Sequence, residues 1–155
     1  MSNVILDLQI ACKKIDSLPT KNNFRQWLEA AIQSHYTKKV EVTIRLIDNA
    51  ESYLLNMTYR GQNKPTNVLS FPFTAPISMN IPLLGDIIIC RQLIEKEAKD
   101  QKINVQSHWA HIVIHGVLHL LGYNHILEEE ATKMETLEME ILHKLKIFDC
   151  IFTQQ

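Results

Sequence analysis

Residues 107–125 read SHWAHIVIHGVLHLLGYNH, and this stretch constrains the rest of the chain. From Ser107 to Leu121 it carries no Asp, Glu, Lys, Arg or Pro. A run this apolar and this long predicts a helix buried on most of its surface. Gly122 follows as the left-handed residue that ends it. Such a helix cannot face water, so the flanking sequence must supply the layers that cover it.

Those layers are legible in both directions. Upstream, Val4 to Ile10 is short and β-branched, as a first strand is. After Leu18-Pro19-Thr20, the residues Phe24, Trp27, Leu28, Ala31 and Ile32 form the i, i+3, i+4 stripe of an amphipathic helix. Val40, Val42, Ile44 and Leu46 alternate with Glu41, Thr43 and Arg45, predicting a half-buried strand. Asp48 and Glu51 open a helix that Gly61 stops, with Leu54, Leu55 and Thr58 expected to face inward. Pro65 to Phe73 is extended, Pro76 and Pro82 bracket a loop, and Gly85 to Ile89 predicts a further strand. Arg91 to Asp100 reads as a helix. Downstream, Met134, Leu137, Ile141 and Leu145 stripe a last one, and the acidic residues around them, Glu128 to Glu140, read as its solvated face. The order β-α-β-α-β-β-α-α-α predicts an α+β fold, a mixed sheet of about four strands packed by about five helices.

Composition agrees. The chain has 155 residues, 46% of them apolar and 21% charged, which predicts one domain over residues 1–155. Sixteen basic against seventeen acidic side chains argue against a broadly basic nucleic-acid coat, but leave room for a local basic patch. Cys12, Cys90 and Cys150 are odd in number and far apart, so neither a disulfide frame nor a zinc ribbon is encoded. No signal peptide and no membrane span can be read, and a cytoplasmic protein is expected.

Five of the seven histidines fall between His108 and His125. His115 and His119 are four apart on the predicted helix, so their rings lie on one face, one turn apart. Gly122 lets the chain reverse and return His125 towards them. Three neutral imidazoles with one open position make a catalytic zinc site, one ion per chain. His111 also lies four before His115 and offers an alternative pair one turn earlier, but only the later set includes the glycine turn. The spacing matches the zinc-peptidase pattern HExxHxxGxxH, except that Gly116 stands where those enzymes carry their glutamate base. Peptidase chemistry by that route is disfavoured.

The segment HWAHIVIHGVLHLLGYNH resembles the signature of the YbeY family of metal-dependent bacterial endoribonucleases. YRGQNKPTNVLSFPF (Tyr59 to Phe73), LGDIIIC and the MExxE run from Met134 to Glu138 fit the same family. The resemblance implies zinc ligands His115, His119 and His125, with catalysis resting on Arg60 and the metal-bound His115. It also implies a single-strand-specific endoribonuclease of the 16S ribosomal RNA 3′ end, with a part in late 70S ribosome quality control. A ribosomal RNA precursor and small-subunit ribosomal proteins are the partners it suggests. Asn124 and Asn63 depart from the family, which usually has acids there.

Two other readings share these residues: a zinc-dependent peptidase-like hydrolase, and a non-enzymatic ribosome-assembly factor with structural zinc. For phosphate contacts the sequence offers Lys38, Lys39, Arg45, Arg60, Lys64 and Arg91; for a general base it offers His111, Asp86 or a second water. Gly116 has two explanations. Either the helix is pressed against a strand there, or the missing side chain leaves room beside the metal for phosphate and ribose. The second is the expectation adopted, with Gly116→Ala predicted to harm RNA cleavage more than stability.

Overall fold

The computed structural model describes residues 3–33, 35–36, 39–73 and 83–152. Its elements run β1 (Val4–Ile10), α1 (Lys21–Ile32), β2 (Val40–Ile47), α2 (Asn49–Arg60), β3 (Val68–Pro72), β4 (Leu83–Cys90), α3 (Arg91–Gln101), α4 (Val105–Leu120) and α5 (Glu128–Lys144). This is the expected α+β order. The loop bracketed by Pro76 and Pro82 lies outside the described residues, as does Lys38.

The four strands form one sheet in the order β1-β2-β4-β3. β1, β2 and β4 are parallel, and β3 returns antiparallel to β4. Along β2, Val40, Val42, Ile44 and Leu46 are fully buried while Glu41, Thr43 and Arg45 are half-exposed, so the period of two puts one face against the helices. That face carries Ile87 and Ile89 of β4, and α4 lies across it with α1 beside it. Trp109 of α4 meets Phe24 of α1 edge-to-face at 5.9 Å, which locks the two helices at their crossing.

Local chemistry sets the ends of the helices. Thr20 and Asn23 form a reciprocal capping box, so α1 starts at Lys21, three residues before the first residue of its apolar stripe. Asn104 caps α4 by accepting from the Gln106 N–H, which starts that helix at Val105 and not at Ser107. Gly61 and Gly122 both have positive φ where their helices stop. Cys12 and Cys90 are buried free thiols and Cys150 is half-buried.

One expected orientation is wrong. α2 does not turn Leu54, Leu55 and Thr58 inward: Leu54 is 62% exposed and Thr58 is exposed. The buried residues are Ser52 and Asn56, and the reason is the chain beyond Gly61, which folds back along the helix. Ser52 Oγ donates to the Thr66 carbonyl and accepts from the Thr66 N–H, and Asn56 Nδ2 donates to the Lys64 carbonyl at 2.8 Å. The inner face of α2 is therefore polar because it satisfies a loop backbone, not because it is solvated.

The glycine in α4 is also explained by packing. A Cβ at Gly116 would stand 2.9 Å from Ile87 Cγ2 and 3.2 Å from Ser70 Oγ, and Ser70 already donates to the Gly116 carbonyl. The space is taken by β3 and β4, and none is left for a substrate, so the expectation of room beside a metal is corrected. Gly116→Ala gains up to about 1 kcal/mol of helix propensity but forces an overlap with a β-branched methyl, which costs about 1–3 kcal/mol. A net loss of stability is expected in urea unfolding. Unchanged or raised stability would show that the sheet yields to the methyl.

Candidate metal centre

α4 presents His111, His115 and His119 on successive turns, and the Gly122 turn carries His125 back towards the last two. The ring centroid of His125 lies 5.7 Å from that of His115 and 5.1 Å from that of His119. His115, His119 and His125 each offer a nitrogen within 4.8 Å of the others, and no second such group of His, Cys, Asp or Glu occurs among the described residues. His111 is not part of it. Its Nε2 donates to Glu138 Oε1 at 2.9 Å.

The tautomers follow from the partners. His115 Nδ1 donates to Glu138 Oε2 at 2.6 Å, and His119 Nδ1 donates to the Tyr123 carbonyl at 3.0 Å. Each ring so held turns the lone pair of its Nε2 outward, and these two nitrogens face each other at 3.1 Å. Two lone pairs at that distance require a positive centre near them. Burial, with the neighbouring His115 and His125, pulls the His119 imidazole down to about 4, so it is neutral at physiological pH. A carboxylate and a carbonyl behind two imidazoles is the arrangement that orients ligands for a divalent ion. The donor set fits a metal.

Glu138 is the functional residue that the charge pattern misses. It is 3% exposed, not part of a solvated acidic face. Burial raises its pKa, but hydrogen bonds from His111 and His115 outweigh that and bring it down to about 2, so it is ionised. Its position carried a signal: four after Met134 and three before Ile141, it lies on the buried stripe of α5.

Beside the histidines opens a cleft of about 780 Å³. Arg60, at the last turn of α2, and Lys64 line it together with Ser70, Asn124 and the three histidines, and no carboxylate does so among the described residues. The loop pinned to Ser52 and Asn56 is what holds Lys64 there. Other candidate cations are elsewhere: Arg45 pairs with Glu51 at 3.0 Å, and the buried Arg91 pairs with Glu95 at 2.8 Å. Lys39 is exposed and does not line the cleft. Asp86 alternates with Ile87, whose side chain meets α4, so Asp86 projects from the opposite face of the sheet and is not brought to the histidines. Asn124 Oδ1 accepts from the Ile126 N–H, a turn contact on the lip of the cleft.

The solution structure of TM1509 from Thermotoga maritima is similar to this chain, with 27% identity over 90% of this chain and 91% of that one and a TM-score of 0.57. A family model described as endoribonuclease YbeY matches residues 7–146, nearly the whole described fold and every residue of the histidine cluster. The chain belongs to the endoribonuclease YbeY family.

Proposed function

We propose that this chain is a single zinc-dependent hydrolase domain, residues 1–155, that cleaves single-stranded ribosomal RNA precursors, with His115, His119 and His125 holding one zinc ion. The observation that carries this reading is the adjacency of a three-histidine cluster and a cleft whose charged lining among the described residues, apart from histidine, is Arg60 and Lys64. A phosphodiester brings negative charge on its non-bridging oxygens, and a cleft lined by Arg60 and Lys64 receives it.

A zinc ion held by the neutral His115, His119 and His125 would keep its full charge and would supply Lewis acidity to a phosphoryl oxygen or to water. The remaining work belongs to the chain. Arg60 offers a planar fork to two phosphate oxygens, and Lys64 adds a point charge beside it. Glu138 fixes the His115 tautomer, and the Tyr123 carbonyl fixes that of His119. A side chain at position 116 would be aimed at Ile87 and Ser70, so the chain has no place for the glutamate base of zinc peptidases, and this favours the nuclease over the peptidase. In this reading the target is the 16S precursor 3′ end, the setting is the cytoplasm and late ribosome quality control, and small-subunit ribosomal proteins are partners.

The test is elemental analysis joined to cleavage of labelled single-stranded, double-stranded and 16S-precursor RNA by purified protein. About one zinc per chain with cleavage confined to the single strand is expected. Intact RNA with zinc retained would leave an assembly factor; turnover of peptides would leave a peptidase.

His119→Ala should reduce the zinc content to near zero, and His111→Ala should leave most of it. The reverse pattern would move the metal one turn back along α4. Glu138→Gln cannot accept from both rings, so competition with a chelator should show affinity weakened about 10- to 100-fold. Arg60→Ala should keep zinc and thermal midpoint while cleavage falls about a hundredfold or more, and Arg60→Lys should recover little of it. Wild-type cleavage by Arg60→Ala would reduce that arginine to a surface charge.

A further inference from the structure

The histidine cluster has a second cavity, of about 420 Å³, on the side away from Arg60. The two cavities meet at Asn67, His115 and His125, which line both. Their chemistry is opposite. Among the described residues the second is lined by Glu97, Glu135 and Glu138, with no lysine or arginine, and its apolar wall includes Ile112, Met134 and Phe152. Phosphate is excluded from such a place by charge. Its volume lies within the range of small-molecule pockets, which are apolar with a few placed polar groups.

The acceptors differ in what they already hold. Glu138 is occupied by His111 and His115. Glu97 accepts from Asn67 Nδ2 and from His108 Nε2 at 2.8 Å. Glu135 is half-buried, and its carboxylate has no hydrogen bond or ion pair among the described residues. His108, also in the lining, is only 4% exposed, and with its Nε2 donating to Glu97 its Nδ1 is an acceptor without a partner. The acceptor that a ligand in the cavity can reach unoccupied is therefore the Glu135 carboxylate. Phe152 rests on His111 at 4.9 Å between ring centroids and forms an aromatic side to the space.

Resting on the endoribonuclease reading above, the geometry points to a nucleobase subsite: the cavity takes the base next to the phosphate held by Arg60 and Lys64, and it selects a base with an exocyclic amino group over uracil. Cytosine and adenine each direct an N–H₂ donor at a carboxylate, and guanine directs N1–H and N2–H₂. Uracil can offer Glu135 only N3–H, and O2 and O4 on either side of that donor then face the carboxylate, whereas an exocyclic amino group can reach it with one N–H pointing away from any ring acceptor. A single strand can splay one base into the cavity and stack it on Phe152, whereas a duplex cannot.

The experiment measures, by fluorescence anisotropy, the affinities of short labelled oligocytidylate, oligoadenylate and oligouridylate for the zinc-loaded full chain, and follows their cleavage in parallel. Oligocytidylate and oligoadenylate should bind about fivefold or more tightly than oligouridylate. Glu135→Gln, which can donate to uracil O4, should bring that ratio close to one. Glu129→Gln, an equal charge change at an exposed position of α5, should leave the ratio as it is. Phe152→Ala should weaken all three RNAs alike. Equal affinities in the wild type, or a ratio that Glu135→Gln does not move, would overturn the subsite. Base-selective binding without cleavage of any RNA would keep the subsite and remove the nuclease reading; cleavage without base preference would do the opposite.

Discussion

A single buried carboxylate joins the last helix to the centre of this molecule. Glu138 accepts from His111 and from His115, two rings one turn apart on α4, and so α5 is fixed to α4 in both position and rotation. An ionised group 3% exposed would be costly if unpaired, and the two imidazole N–H groups are what make it tolerable. The same bonds decide which nitrogen of His115 carries its proton, and therefore where its lone pair points. Packing of the helices and readiness for a cation are one arrangement, described once by geometry and once by protonation.

Around that centre the charge is divided in space. On one side Arg60 and Lys64 border the histidines; on the other stand Glu97, Glu135 and Glu138. A formal charge of −1 conceals this division entirely, because net charge sums over the whole surface and a cleft responds only to its own lining. The backbone makes the cationic side possible: Ser52 and Asn56 hold the loop through Thr66 and Lys64, and Gly61 lets the chain leave α2 in the left-handed turn that the loop requires.

Where side-chain periodicity carried the information, the sequence was readable. The alternation from Val40 to Leu46, the stripe from Phe24 to Ile32 and the apolar run before Gly122 all correspond to elements of the fold, and the spacing of His115, His119 and His125 anticipated that they converge. Reading failed where a polar residue faces inward. Ser52, Asn56 and Glu138 bond to partners 8 to 27 positions away, in segments whose approach is decided by the tertiary fold. Local pattern cannot tell such a residue from a solvated one, although its place on an otherwise apolar stripe is a usable warning. Gly116 is the complementary case. Its motif position suggested chemistry beside a metal, while the neighbours that require it, Ile87 and Ser70, belong to strands remote in sequence.

The three cysteines have a chemical consequence of their own. Burial raises the pKa of Cys12 and Cys90, and burial with the charges of Asp149 and Glu138 pushes Cys150 up to about 12. The folded protein therefore displays almost no thiolate, the form that attacks electrophiles and captures soft metals. Among the described residues that line the cleft, soft ions such as copper(I) find imidazole nitrogen and no sulfur, so metal selection there is left to nitrogen donors and their geometry. An alkylating reagent at neutral pH therefore meets little reactive sulfur on the folded chain, because Cys12 and Cys90 are buried and the half-buried Cys150 is held as the thiol.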